Sequence, residues 1–473
     1  MDQLIPSLVA LVEGFRPCFR SEVFHTFQHI LVGWIVCPGP RTISEVWQAT
    51  GRAAGHHHDT AYSLFASAVW EWDELGKILL LLIVTRLIPT GTIWLVVDDT
   101  LCHKRGAKVA FGGFFLDAVS SSKKKKNFRF GVNWVVIGLA VHLPFRPDRS
   151  FCLPVLWRAY RKKGTLGHRS RTELAAELAQ VIAHWLPGRE CWLVGDAAYL
   201  NATVLKDRPK NLRMIGPLRW DAALYDLPPR VVGKRKGRRR KKGDRLPTPR
   251  QMIEDTAAYP GKVRKVSFGR TVRRLRVQVV RDVLWYTGAK TEPVSVVLVR
   301  DVAGPWRDEA LLATSSDVSA EFVIAGYCRR WSVEVAFLES KQFLGLHDPH
   351  VWSEGSVERA HPMAWFVQSV TILWYAVAGR GGSWVERDRP WYRTKKTPTF
   401  ADMLGALRLQ LWENHVSSRL ESDPDHAKLL DSLINWLAAV RRMSETRVRG
   451  TNFLNPHPTF PTDPSSSNAG ESD

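Results

Sequence analysis

The sequence is poor in cysteine and has no apolar run suited to crossing a membrane. Its 473 residues include six cysteines, and no two of them are spaced as Cys-x2-Cys. This scarcity argues against a disulfide framework and a cysteine-based zinc site, and it predicts free thiols in a reducing compartment. The apolar stretch 77–85 is too short to span a bilayer. The longer stretch 361–379 contains Pro, Gln and Ser, so we expect a buried helix there.

The N-terminus lacks a basic region followed by an apolar core, so the sequence predicts no signal peptide. We therefore expect a cytoplasmic protein. Residues 56–59 read His-His-His-Asp and resemble a metal-binding pattern. Three adjacent histidines cannot all face one ion from a regular element, which argues against a metal site there.

Basic residues outnumber acidic ones, and part of the excess is clustered. The chain has 67 Lys and Arg against 46 Asp and Glu, a net charge of +21, which indicates a polyanionic partner. One run covers 123–126. A longer run supplies eight charges: Lys234, Arg235, Lys236, Arg238, Arg239, Arg240, Lys241 and Lys242. A solvated loop or a localisation tag is the alternative interpretation of such a run.

A row of polar side chains is predicted on one helix in the C-terminal third. At about 100° per residue, four side chains of the segment 327–341 share a stripe roughly 60° wide: Tyr327, Arg330, Glu334 and Lys341. An adjacent apolar stripe, which includes Trp331, would face a core. Glu339 projects more than about 100° away from this row, so it is a poorer candidate than Glu334 for the carboxylate of a site. The alternative is an exposed helix face with weak surface ion pairs.

Two further candidate carboxylates follow apolar runs that predict buried strands. The run 93–97 precedes Asp98 and Asp99, and the run 191–194 leads through a glycine to Asp196. Open α/β sheets place their ligands at the carboxyl ends of such strands. Alternatively, each aspartate caps the turn that follows. Two strand-end acids and one helical glutamate would suit a hard divalent cation, because Mg²⁺ binds through a few carboxylates and substrate phosphate.

With these residues in place, the chain resembles the DDE transposases of bacterial insertion sequences, in the group with a Tyr-x2-Arg-x3-Glu-x6-Lys signature. The signature is matched without departure in spacing at the four positions of the predicted row, and Trp331 also fits. The group's first acid stands before Thr, which selects Asp99 over Asp98. Its second acid follows Gly or Cys, which selects Asp196. The resemblance covers residues 94–379.

The resemblance implies an α/β fold with a ribonuclease H-like catalytic core and a β-rich insertion between the second and third acids. It implies that Asp99, Asp196 and Glu334 are the catalytic residues and the ligands of two Mg²⁺ ions, for which Mn²⁺ can substitute. The implied activity is metal-dependent cleavage at transposon ends and strand transfer into target DNA. Side chains expected to contact DNA are Tyr327, Arg330, Trp331 and Lys341, together with the basic run from Lys234 to Lys242.

The implied partners are double-stranded DNA, as terminal inverted repeats and target, and a second copy of the chain in a homodimeric synaptic complex at the nucleoid. Two other interpretations remain open. One is a catalytically inactive DNA-binding descendant of a transposase, against which the intact acids argue. The other is a stand-alone ribonuclease H-like nuclease, against which the insertion and the long helical flanks argue.

Six regions are predicted along the chain: a helical N-terminal DNA-binding region (1–90), the first part of the catalytic core (91–218), a basic loop with a β-rich insertion (219–318), the last part of the core with the glutamate helix (319–355), a helical C-terminal region (356–451) and a disordered tail (452–473). In the first region, helices at 43–50 and 61–72 resemble a helix-turn-helix, with an ordinary helical bundle as the alternative. One continuous helix is predicted at 320–343, and separate strands are predicted at 271–280 and 283–287.

Overall fold

A computed structural model of the chain describes residues 5–122, 124–229, 239–268, 271–302, 304, 307–379, 395 and 397–417. Its α-helices are α1 (Pro6–Val12), α2 (Ser21–Val36), α3 (Ile43–Ala49), α4 (Asp59–Ala66), α5 (Trp72–Leu87), α6 (Arg171–Trp185), α7 (Ala202–Leu205), α8 (Pro249–Glu254), α9 (Ala320–Cys328), α10 (Trp331–Phe343), α11 (Glu354–Ala360), α12 (Met363–Val377) and α13 (Phe400–Ser417). Its strands are β1 (Ile93–His103), β2 (Gly113–Leu116), β3 (Phe128–Leu143), β4 (Arg146–Ala159), β5 (Cys191–Val194), β6 (Leu212–Pro217), β7 (Lys262–Phe268), β8 (Thr271–Leu284), β9 (Pro293–Asp301) and β10 (Glu309–Ala313). The predicted α/β class is confirmed.

The chain forms two compact units. The first comprises the described parts of Met1–Cys191 and Ser332–Val448, and the second comprises those of Trp192–Trp331. Four of the predicted DNA-contacting residues lie outside the described residues: Lys234, Arg235, Lys236 and Arg238. The predicted tail 452–473 and residues 418–451 of the predicted C-terminal region also lie outside them.

In the first unit, β3 is the central strand of an antiparallel sheet. It pairs with β1, β2 and β4. Residues 132–141 of β3 are all buried, and they form the apolar centre of the sheet with one polar exception, Asn133. Helices α5, α6 and α12 contact this sheet. At Gly76 of α5 a Cβ atom would lie 2.5 Å from the carbonyl oxygen of Val155, so glycine permits the close approach of α5 to β4.

Helix α2 packs against α3, α4, α12 and α13 in the first unit. Arg408 of α13 is buried and donates to the carbonyl oxygens of Ile35 and Cys37 at 2.6 and 3.3 Å. These bonds satisfy acceptors that the C-terminus of α2 leaves unpaired. Among the described residues, no helix combines the length and the apolar character needed to cross a membrane.

The predicted helix at 61–72 is wrong in its extent. Helix α4 ends at Ala66, and Trp72 begins α5. The amide of Ala68 donates to the carbonyl of Ser63 at 2.9 Å, a six-residue closure typical of helix C-termini. Both α3 and α4, the pair predicted as a helix-turn-helix, contact α2.

In the second unit, one sheet has the strand order β5-β6-β10-β9-β8-β7. The predicted division of 271–287 into two strands is wrong, because β8 is continuous and absorbs a bulge between Val280 and Val283. Within this bulge Asp282 has φ 54°, in the left-handed region. Strand β10, which the sequence did not predict, pairs with both β6 and β9. The strands predicted as an insertion therefore share a sheet with β6.

Candidate active site

Asp99 lies within β1 and not at its end, which corrects the predicted strand boundary. Backbone pairing continues beyond Asp99 as far as His103, which is opposite Gly131 of β3. Asp99 is partly exposed, and its Oδ2 accepts a hydrogen bond from Nδ2 of Asn133 at 3.0 Å. Since neighbouring residues of a strand point to opposite faces, Asp98 projects away from this contact. Oδ1 of Asp98 accepts from the amide of Asp99 at 2.8 Å.

Arg171, the first residue of α6, provides positive charge beside Asp99. Its Nε lies 3.4 Å from Oδ2 of Asp99 and donates to Oδ1 of Asn133 at 2.8 Å. Its guanidinium also lies 4.9 Å from the ring centroid of Tyr160, a favourable cation–π distance. Neither Arg171 nor Asn133 was predicted from the sequence. The only sequence feature that could have drawn attention to Asn133 is its position as a polar side chain within a long apolar run.

Asp196 lies just beyond β5, and its side chain organises the turn that follows. Its Oδ1 accepts from the amides of Ala198 and Tyr199 at 2.8 and 3.3 Å. This is the capping role that the sequence left open as an alternative. Asp196 is partly exposed while Tyr199 is buried, so the turn holds the carboxylate at the strand end facing solvent.

Three ionisable side chains of the second unit affect the pKa of Tyr327: Arg330, Glu309 and Asp196. Burial raises the pKa of Tyr327 to about 12 against the opposing effect of Arg330, and the negative charges of Glu309 and Asp196 add to the rise. The guanidinium of Arg330 lies 5.9 Å from the Tyr327 ring centroid. At neutral pH the Tyr327 phenol therefore keeps its proton and can donate a hydrogen bond.

Glu309 of β10 is a member of this group that the sequence analysis missed. Burial raises its pKa to about 8, and the positive charges of Arg330 and Arg307 oppose the rise. In the sequence Glu309 is an acid between Asp308 and the apolar run 310–313, and no sequence pattern links it to Tyr327.

The predicted continuous helix at 320–343 is wrong. It is divided into α9 and α10 by a turn at Arg329 and Arg330. The amide of Arg329 donates to the carbonyl of Gly326 at 3.1 Å, and that of Arg330 donates to Tyr327 at 3.0 Å. These are i to i−3 bonds, which tighten the backbone and interrupt the α-helical phase. The four side chains of the predicted row therefore do not lie on one continuous α-helix.

Glu334 and Lys341 lie on α10 in the first unit, and both are partly exposed. They are seven residues apart, about two helical turns, so they share a face of α10. Burial, and after it the positive charge of Lys341, hold the pKa of His347 well below its usual value. Neutral His347 accepts at Nδ1 from the amide of His103 at 3.0 Å. The charge of Lys341 therefore affects a histidine that is hydrogen-bonded to the end of β1, the strand that carries Asp99.

Glu339 occupies a structural position. It is buried, lies 3.4 Å from Nη2 of Arg149, and accepts from Nε2 of Gln368 at 3.2 Å. Burial raises the pKa of Glu339, and Arg149 opposes the rise. These contacts join α10 to β4 and α12.

The remaining predicted DNA-contacting residues lie at the start of α10 and in the basic run. Trp331 is the first residue of α10 and is partly exposed. The side chains at 239–241 are exposed, and Nη2 of Arg240 lies 3.1 Å from Oδ1 of Asp244. The ammonium of Lys242 lies 3.6 Å from the ring centroid of Tyr225, so this end of the basic run is anchored on an aromatic side chain.

The predicted metal ligands have suitable donor chemistry. Asp99, Asp196 and Glu334 offer only carboxylate oxygens, and each is partly exposed, which fits hard cations such as Mg²⁺. Asp99 and Glu334 belong to the first unit and Asp196 to the second, so their convergence on one ion remains a prediction. A different group, His57, His58 and Asp59, brings ligand atoms within 4.8 Å of one another, and all three residues are exposed.

Similarity to known proteins supplies independent information. No curated protein matches the chain. A family model described as DDE superfamily endonuclease matches residues 14–292. The matched segment includes Asp99 and Asp196 and ends before Tyr327 and Glu334. Because the match covers more than half of the sequence, the chain belongs to the DDE superfamily endonuclease family.

Proposed function

We propose that this protein is a DNA transposase that cleaves phosphodiester bonds at the ends of a mobile element and joins the freed 3′ ends to target DNA. The observation that carries the proposal is the family match, because the matched segment includes two of the candidate acids, Asp99 and Asp196. The net charge of +21 supports DNA as the substrate. The core would be ribonuclease H-like, with Asp99 on β1 and Asp196 just beyond the end of β5.

Asp99, Asp196 and Glu334 would hold two Mg²⁺ ions, or Mn²⁺ in their place. When bound, the ions would activate water or a 3′-hydroxyl and stabilise the leaving oxygen. Asn133 would fix the orientation of the Asp99 carboxylate through its hydrogen bond at 3.0 Å. Arg171 would offset the charge of Asp99 before metal binds, because it lies 3.4 Å from the same oxygen.

Contacts to the DNA backbone would come from side chains near the acids. The protonated phenol of Tyr327 would donate to a phosphate oxygen, and Arg330 would bind phosphate through two parallel N–H groups. Lys341 would act as a point charge. Trp331 and the basic run Lys234–Lys242 would extend the contact surface, with the run acting on duplex DNA irrespective of sequence. We further propose a homodimer as the synaptic complex.

A cleavage and joining assay tests the proposal. Inverted repeats in the DNA that flanks the gene would provide the substrate, labelled at the predicted 3′ ends. We expect cleavage and strand transfer with Mg²⁺ or Mn²⁺, binding with little cleavage in Ca²⁺, and no reaction in excess EDTA. Cleavage without joining would indicate a stand-alone nuclease, and binding without cleavage an inactive transposase descendant. Robust cleavage in EDTA would contradict the proposed metal chemistry.

A further inference from the structure

Strand β2 and the start of β3 form a hairpin with one apolar face in solvent. Phe114 pairs with Phe130, and Leu116 pairs with Phe128. Paired residues and their i+2 neighbours project from the same face of a sheet. Phe114, Leu116 and Phe128 are 71%, 47% and 60% exposed, and the rings of Phe114 and Phe130 lie edge to face at 5.4 Å. We call these four side chains the hairpin face.

The loop that joins the two strands is held by its own hydrogen bonds. Asp117 is buried and accepts from Oγ of Ser120 at 2.7 Å and from the amide of Val119 at 3.2 Å. The amide of Asn127 donates to Oγ of Ser121 at 3.0 Å. The same loop carries three exposed lysines between Leu116 and Phe128 of the hairpin face: Lys124, Lys125 and Lys126.

The opposite face of the hairpin leads to Asp99. Phe115 is buried there, with its ring centroid 5.8 Å from that of Tyr160. The guanidinium of Arg171 lies 5.8 Å from the Phe115 ring and, through Nε, 3.4 Å from Asp99. At the end of β2, Asp117 lies 3.3 Å from Nε2 of His103 on β1. The hairpin is therefore attached to the strand and side chains that position the first candidate acid.

We propose that the hairpin face binds unpaired nucleobases of the DNA substrate, with Phe114 and Phe128 stacking on bases and the lysines at 124–126 pairing with phosphates. This inference rests on the proposed function and adds a substrate feature to it, a locally unpaired strand. Aromatic rings beside cationic side chains are the combination that binds single strands, because every base has a π-face.

The positive charge of the lysine loop favours DNA, and not a second copy of the chain, as the partner that binds the hairpin face. In a two-fold contact between copies the same patch meets itself. The lysine loops would then approach each other beside an apolar contact, and like charges there repel. A polyanionic strand meets the same loop favourably.

Equilibrium binding of fluorescent oligonucleotides to the full chain in EDTA tests the inference without any requirement for cleavage. Phe114→Leu and Phe128→Leu keep an apolar side chain but lose the ring. We expect each to weaken binding of a short single strand about tenfold, with little change for a matched duplex. Phe114→Tyr and Phe128→Tyr should bind as the unmodified protein does. Leu166→Ala removes an apolar side chain that is 96% exposed elsewhere in the first unit and should leave both affinities unchanged.

A second readout reports stacking directly. A strand that carries 2-aminopurine should lose fluorescence on binding the unmodified protein and keep most of it with the two leucine variants, whose fold is checked by circular dichroism. Equal quenching by folded leucine variants would overturn the inference. So would a loss of self-association, measured by light scattering, with single-strand affinity unchanged, because the face would then join two copies. A protein that binds as expected but does not cut or join DNA would refute the proposed function and not the hairpin site.

Discussion

Nδ2 of Asn133 donates to Oδ2 of Asp99 at 3.0 Å, so a buried amide on β3 fixes a partly exposed carboxylate on β1. Oδ1 of the same amide accepts from Nε of Arg171 at 2.8 Å. Asn133 therefore holds the candidate metal ligand and its neighbouring cation in a fixed relation.

This relation predicts that Asn133→Ala lowers the rate of DNA cleavage and raises the Mg²⁺ concentration needed for half-maximal rate. Groups that orient metal ligands typically contribute a factor of about 10 to 100, and we expect an effect in that range. Asp98→Asn is the matched control, since it changes a carboxylate that projects from the other face of β1 and should be milder. Wild-type metal dependence in a folded Asn133→Ala protein would contradict the role.

Glu309→Gln should make stability less sensitive to alkaline pH. The pKa of Glu309 is raised from 4.5 to about 8, first by burial. Its stabilising contribution is thus fully present below pH 4.5 and is lost as pH rises toward 8, because the unfolded chain releases this proton first. Thermal unfolding should show the variant more stable than the unmodified protein at about pH 9 and similar to it at about pH 5. Glu321→Gln, at an exposed glutamate of α9, should not reproduce this pattern.

Alanine at Arg330 or Lys341 should weaken binding to cleaved DNA ends equally for all sequences, because phosphate contacts carry no base information. Arg330→Lys should retain part of the affinity through its charge while losing bidentate geometry. Lys206→Ala, at an exposed lysine of the second unit, provides the charge control. Competition binding among DNA ends of different sequence measures both the affinity and the base preference of each variant. An altered base preference would mean that these side chains contact bases and not only phosphates.

Replacing the eight basic residues of the run Lys234–Lys242 with Gly and Ser should flatten the plot of log binding constant against log salt. Each neutralised phosphate contributes about 0.9 to this slope, so eight charges limit the change to roughly 7, and we expect about 2 to 4. Affinity for unrelated DNA should fall as much as affinity for transposon ends. An unchanged slope in a folded variant would exclude the run from DNA binding.

Local sequence patterns predicted the α/β class and the strands around the candidate acids, since long apolar runs such as that of β3 indicate buried strands. They did not predict the turn at Arg329 and Arg330, because nothing in the residue types marks a switch to i to i−3 bonding. Strand β10 was missed because five residues beside charged neighbours give a weak signal.

Contacts between residues distant in sequence were also beyond prediction. Asn133 and Arg171 meet Asp99 through the pairing of β3 with β1 and the placement of α6. The electrostatic coupling of Glu309 to Tyr327 depends on where β10 and α9 lie in the second unit. A linear pattern contains the residue types but not these neighbours.

Cleavage of labelled DNA ends by carboxylate variants tests the central claim most directly. Asp99→Asn, Asp196→Asn and Glu334→Gln should each abolish cleavage while leaving end binding nearly intact, because each would remove a proposed metal ligand and no proposed DNA contact. Glu339→Gln on the same helix should retain substantial activity, since Glu339 is buried against Arg149 and Gln368. Full cleavage by the Glu334→Gln protein would contradict the assignment of the three acids.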